Sequence, residues 1–130
     1  MKRVVMDASA LIAFLRVEPG AEVAVKYMLR ASMSAVNLSE VLETCVHKEL
    51  AVNKVLALLK NWRIEIVPFD TEQATIAAEI KWQTGESTLS LAERACLALA
   101  RSRGIPVLTS NREWSKLDLG IEVIQIREGT

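Results

Sequence analysis

The sequence predicts an α/β protein: a three-layer α/β/α sandwich around a mainly parallel sheet of four or five strands, in a single domain over residues 1–130. Three observations point there. Short β-branched runs alternate with amphipathic helical patterns along the whole chain, which favours parallel strands joined by right-handed helical crossovers. The 130 residues suit one core, and a chain of that length buries roughly two-thirds of its unfolded surface. Hydrophobic residues make up 51% and charged residues 25%, an ordinary globular balance that excludes disorder.

Residues 3–6 form a first short strand, and Asp7 begins a turn into an apolar helix carrying Leu11, Ile12, Phe14 and Leu15. Pro19 and Gly20 end that helix; a second is expected over 21–30, then a small strand over 34–36. Asn37 caps a third helix, which buries Leu38, Val41, Leu42, Cys45 and Val46 at spacings of three and four and leaves Glu40, Glu43 and His47 on another side. A helix over 53–62 packs next, and 64–67, stopped by Pro68, reads as an edge strand. Asp70 and Gln73 make a capping box for a helix reaching about Trp82, and 84–88 is loop. Ser90 opens the most apolar helix, 91–103, whose nearly all-round apolar surface makes it central. Gly104, Ile105 and Pro106 end it; a strand over 107–109, a short helix over 111–117 and a last strand over 123–126 follow.

Lys plus Arg equals Asp plus Glu at 16 each, so contact with nucleic acid must come from a local patch. Cys45 and Cys96 fall inside apolar helical patterns without CxxC spacing, and are expected as reduced core residues in a cytoplasmic protein. The basic start followed by an apolar run resembles a signal peptide, but Asp7 interrupts it, and the uncharged run 8–15 is too short to span a bilayer. No membrane association is expected.

In parallel sheets the ligand crevice lies beyond the carboxyl ends of the strands. Asp7 follows the first strand, Glu40 lies early in the helix after the second, Glu93 opens the central helix, and Asn111 follows the strand over 107–109. Acid and amide groups far apart in sequence are thus aimed at one rim. Carboxylates that converge without a compensating cation repel one another, and a fold tolerates this mainly when a metal ion sits between them. Oxygen-only ligands favour Mg²⁺ or Mn²⁺ over zinc, and such ions promote in-line hydrolysis of phosphodiesters.

Four blocks, in this order, carry a resemblance: Val4-Val5-Met6-Asp7-Ala8-Ser9-Ala10-Leu11, Asn37-Leu38-Ser39-Glu40-Val41, Leu89-Ser90-Leu91-Ala92-Glu93-Arg94-Ala95-Cys96-Leu97-Ala98-Leu99-Ala100 and Val107-Leu108-Thr109-Ser110-Asn111-Arg112-Glu113-Trp114. Together they resemble the motifs of VapC-type toxins of the PIN-domain family over nearly the whole chain. The resemblance implies a PIN-like fold and a metal-dependent endoribonuclease, the toxin half of a VapBC-type toxin–antitoxin pair, usually dimeric and silenced by a small antitoxin protein. It implies that Asp7, Glu40, Glu93 and Asn111 are catalytic and metal-binding, with Mg²⁺ or Mn²⁺ as cofactor, and that Ser9 supports Asp7. Two positions depart from the family pattern, which usually has Asp where this chain has Glu93 and Asn111. Glu93 keeps the charge on a longer arm; Asn111 removes one negative charge, so a second ion should bind more weakly.

Structural alternatives stand beside these roles. Ser90 to Glu93 and Asn37 to Glu40 both fit capping boxes, and Asp7 could cap the helix it precedes. Ser9 and Thr109 either orient a carboxylate or water, or satisfy local backbone amides. Arg94 and Arg112 are candidates for RNA phosphates or for ordinary ion pairs. Trp62, Trp82 and Trp114 stack bases or, as helical tryptophans more often do, fill core and interface. Phe14, Tyr27, Met28 and Leu29, with a positive mean hydropathy, suit either a partner-facing surface or core. A degenerate PIN domain that binds RNA or an antitoxin without cutting is the alternative function. A receiver-like signalling domain fits poorly, since it wants paired acids after strand one and a late Lys, against the single Asp7 and Thr109-Ser110-Asn111 here.

Overall fold

The computed structural model describes residues 2–47, 51–85 and 88–127. Strands β1 (Val4–Met6), β2 (Ala31–Ser34), β3 (Glu65–Val67), β4 (Val107–Thr109) and β5 (Val123–Gln125) form one sheet in the order β3-β2-β1-β4-β5. Every pairing is parallel: Val4 lies beside Ala31, Val5 beside Val107, and Val107 beside Val123. The described helices are α1 (Ala8–Leu15), α2 (Ala21–Tyr27), α3 (Ala35–His47), α4 (Val52–Asn61), α5 (Thr71–Thr84) and α6 (Leu91–Arg103), with 3-10 turns at Met28–Arg30 and Arg112–Lys116. The expected α/β class, parallel sheet and strand number all hold.

Side-chain alternation along the strands splits the core in two. Val4 and Met6 of β1, Met33 of β2 and Leu108 of β4 face a cluster with Ala10 and Leu11 of α1, Met28 of the first 3-10 turn, Val41 of α3 and Leu59 of α4. Val5 and Val107 face the opposite cluster, with Ile80 of α5, Leu97 and Leu99 of α6, and Trp114. Central β1 is fully buried from Val4 to Met6, which explains its unbroken apolar run. The two cysteines are buried and unpaired, as the apolar patterns predict.

Several boundaries move. The second strand is Ala31–Ser34 rather than 34–36, and α3 starts at Ala35, so Asn37 is an interior helical residue and not a cap. The polar Ala-Ser-Met-Ser run hides the strand because Ser32 and Ser34 are themselves buried, Ser34 accepting a hydrogen bond from the Val36 amide at 3.2 Å. Val46, expected inside, is 62% exposed, and Trp82 is 87% exposed. Trp114 is buried, and Trp62 meets Phe14 edge-on with centroids 6.0 Å apart. Of the apolar residues around α2, Met28 is buried and Leu29 is exposed. Asp70 caps α5 through the Gln73 amide at 2.9 Å, whereas the Gln73 side chain donates to the Pro68 carbonyl, so that box is one-sided.

Two ties close the periphery. Arg103 of α6 forks onto Glu65 of β3 at 2.6 and 2.9 Å and also reaches Ser32, joining helix to edge strand. Gly20, at φ +98°, lets the α1–α2 turn approach the end of β5: a Cβ there would lie 2.9 Å from the Ile126 backbone oxygen.

Candidate active site

The carboxyl edge of the sheet collects the residues singled out in the sequence. Asp7 stands between β1 and α1 with an extended backbone, and its side chain does not cap α1. Only 6% exposed, its carboxylate accepts from Ser9 Oγ at 2.7 Å and from Thr109 Oγ1 at 2.9 Å, both on Oδ2. The same hydroxyls accept backbone amides, Ser9 from Ser110 at 3.0 Å and Thr109 from Asn111 at 3.0 Å. The two readings of Ser9 and Thr109 therefore coexist: each hydroxyl spends its proton on Asp7 and its lone pair on the turn after β4. This lattice locks the ends of β1 and β4 together.

Glu40 lies one turn into α3, half-buried, and accepts from Asn37 Nδ2 at 3.2 Å; the same Nδ2 donates to the Ala92 carbonyl of α6 at 2.8 Å. Glu93 completes the capping box expected from the sequence. Its Oε1 accepts the Ser90 amide at 2.9 Å while Ser90 Oγ accepts the Glu93 amide at 3.1 Å. Its other oxygen, Oε2, lies 3.4 Å from Asn111 Nδ2. The Asn111 Oδ1 caps the following 3-10 turn through the Glu113 amide at 3.0 Å. Asn111 thus donates toward Glu93, where an Asp would repel it.

Burial and neighbouring charge act on two of the acids. Burial pushes the Asp7 carboxyl above its usual range, against the pull of Ser9, Thr109 and the Ala8 amide, and the charge of Glu93 adds to the rise. Glu40 is also raised, first by burial and then by Asp7, Glu93 and Glu43, with Asn37 opposing. Fully buried Cys96 lies beneath the cluster, its thiol pushed well up by burial and then by Asp7, Glu40 and Glu93 together. Among the described residues, the ion pairs involve other acids: Glu122, Glu18, Glu65 and Glu113.

The donor set suits a hard divalent cation: oxygen ligands only, partly withdrawn from water, with uncompensated negative charge. It is an open edge and not a closed cage, since no group of three His, Cys, Asp or Glu side chains among the described residues is close enough to hold an ion as it stands. A groove of about 390 Å³ leads away from Glu93 and Asn111, walled by Leu89, Glu113, Trp114 and Leu117.

The two arginines diverge. Arg94 turns toward α5, where Nη1 donates to the Ala77 carbonyl at 3.2 Å. Arg112 is exposed beside Asn111. His47 ends α3, and its side chain lies outside the described residues. Two contributors escaped the sequence reading. Asn37 looked like a cap because its strand was placed too late, and Gln125, whose Nε2 donates to the Asn111 carbonyl at 2.8 Å, sits in a strand with no motif around it.

An α/β domain with a parallel sheet and carboxylates gathered at its carboxyl edge is the class of protein defined so far. The chain belongs to the PIN domain family, whose profile matches residues 4–119. Its fold is similar to that of a toxin–antitoxin complex from Klebsiella pneumoniae, with a TM-score of 0.78 and 17% identity, covering 96% of this chain and 98% of that one. It is also similar to DNA-bound VapBC from Salmonella typhimurium, with a TM-score of 0.72, 21% identity and coverage of 97% and 99%. VapBC-5 from Mycobacterium tuberculosis gives a TM-score of 0.63, 23% identity and coverage of 98% and 100%. No curated protein sequence matches the chain. No helix among the described residues is long and apolar enough to cross a membrane.

Proposed function

We propose that this chain is a Mg²⁺- or Mn²⁺-dependent endoribonuclease, the toxin component of a VapBC-type toxin–antitoxin pair. PIN domains are generally nucleases that use divalent metal ions. The observation that carries the reading is geometric: three acids from separate segments stand at one sheet edge, Asp7 held by Ser9 and Thr109, Glu40 by Asn37, whose amide also reaches Ala92 next to Glu93, and Glu93 beside Asn111. Asp7, Glu40 and Glu93 would hold the ion, with Asn111 at the rim.

A bound divalent cation supplies charge neutralisation for the phosphodiester and acidifies a water. The chain's own residues do the rest. Ser9 and Thr109 fix the direction of the Asp7 carboxylate and favour its ionised form. Asn111 steadies Glu93 from the side facing the groove, and in this reading Arg112, exposed beside Asn111, would contribute to contact with an RNA phosphate. Arg94, turned into the helix pair, has at most an indirect part. The partners in this reading are RNA, a small antitoxin and a second copy of the chain, in the cytoplasm; exposed Leu29 and Trp82 are apolar surface available for such contacts.

Cleavage of single-stranded RNA by the purified chain tests this directly. It should require Mn²⁺ or Mg²⁺, stop with EDTA and disappear in Asp7→Asn; cleavage that survives the substitution removes the assignment. One observation favours a second reading, a PIN domain that binds without cutting: Glu93 is engaged in its own cap and Asn111 Oδ1 in another. Calorimetric titration separates the two, because the binding module takes up no Mn²⁺ while still retaining its partner.

A further inference from the structure

We propose that Asn37 is the positioning residue of the acidic pocket, its amide tying the Glu40 carboxylate to the first turn of α6 and so setting how far Glu40 stands from Glu93. The inference rests on the metal-dependent reading above and goes beyond it, since Asn37 belongs to no acid motif.

The geometry is specific. Asn37 is fully buried, one helical turn before Glu40 on α3. The two hydrogens of its Nδ2 are divided between two elements, one toward Glu40 Oε1 at 3.2 Å and one toward the Ala92 carbonyl at 2.8 Å. Ala92 immediately precedes Glu93, so one planar amide bridges the segments that carry two of the three acids. Its Oδ1 is buried and meets no donor among the described residues. An unmet buried acceptor is destabilising, which makes an amide a poor choice for packing alone. What the amide offers is donation without charge. A Lys or Arg in this place would steady Glu40 equally well but would also neutralise the field that attracts a cation, and an apolar residue would leave Glu40 free to turn away. Groups that orient ligating carboxylates in this manner typically change metal affinity or activity about 10–100-fold when removed.

The experiment is calorimetric titration of Mn²⁺ into the metal-free full chain, comparing wild type with Asn37→Ala, Asn37→Ser and Val41→Ala. Val41 is a fully buried neighbour on the same helix with no polar atom, and it reports what loosening α3 does by itself. Asn37→Ala is expected to weaken Mn²⁺ binding about 10-fold or more. Asn37→Ser, which keeps one donor, is expected to weaken it less, and Val41→Ala to leave it within about twofold despite a lower melting temperature. If Asn37→Ala does not fold, Asn37→Ser against Val41→Ala carries the comparison. Wild-type affinity in the Asn37 variants, or equal weakening in Val41→Ala, overturns the positioning role and leaves the metal reading intact. Absence of Mn²⁺ binding by the wild type overturns the metal reading first, and this inference with it.

Discussion

Replacing Thr109 by Val removes one hydroxyl from the floor of the site and almost nothing else, because the two side chains have nearly the same shape. Thr109 is fully buried, and its Oγ1 donates to Asp7 at 2.9 Å and accepts the Asn111 amide at 3.0 Å. A hydrogen bond to a charged group contributes about 1.5–3 kcal/mol, and an amide left without its acceptor costs about 1–3 kcal/mol. The two losses overlap, since Ser9 still donates to Asp7 and the Asn111 amide lies near the surface. A net destabilisation of about 2–4 kcal/mol is the expected outcome. With a urea slope of about 1.5 kcal/mol/M, that moves the unfolding midpoint down by about 1.3–2.7 M. Equilibrium urea denaturation of metal-free protein at neutral pH reads it directly, with the slope unchanged. A loss below about 0.5 kcal/mol, the scatter of ordinary surface substitutions, would refute the view that this hydroxyl lattice holds β1 and β4 together.

Two further outcomes follow from the charges. The Asp7 and Glu40 carboxyls are raised above their ordinary 3.8 and 4.5, so the stabilisation that comes from their protonation is complete below those values and is lost as pH rises through the higher folded-state values. Metal-free Asp7→Asn should therefore gain stability over wild type progressively as pH rises above the ordinary 3.8 of Asp7, and a difference that stays flat from acid to neutral pH would contradict the burial argument. Arg103 draws Glu65 down to about 2; this lowered group stabilises the fold above its ordinary 4.5 and loses that effect as pH falls through about 2. The pair is part-exposed, at 35% and 54%, so Arg103→Ala should cost only about 1 kcal/mol near neutrality, shrinking toward nothing in acid. A thermal melt series from neutral to acid pH checks both the size and the direction.

The fold was legible because its signals are local. Val4-Val5-Met6 before Asp7, the Ser90–Glu93 box and the Gly104–Pro106 stop all announce boundaries through short-range chemistry, and each lies where the sequence puts it. The second strand is hidden because Ser32 and Ser34 make it read as polar while both are buried, and Ser32 meets partners 33 and 71 residues away, Glu65 and Arg103. That slip carried Asn37 from helix interior to cap. The positions of the candidate acids, and of Ser9 and Thr109 beside them, could be read from where strands end; other companions could not. Asn37 reaching the Ala92 carbonyl and Gln125 reaching the Asn111 carbonyl act on groups brought near only by the fold, and nothing in the spacing of the chain marks such meetings. Trp82 shows the converse, a helical tryptophan that the fold leaves outside.

The strand order places β1 in the middle, with chain winding outward from it in one direction to β2 and β3 and in the other to β4 and β5. The segments leaving β1 and β4 therefore depart to opposite sides and leave a gap bordered by Asp7 and Thr109. Lengthening or exchanging either departing segment would reshape what can enter that gap without disturbing a single strand pairing. Such a scaffold offers an engineer a clean separation: loops to vary, a sheet to leave alone.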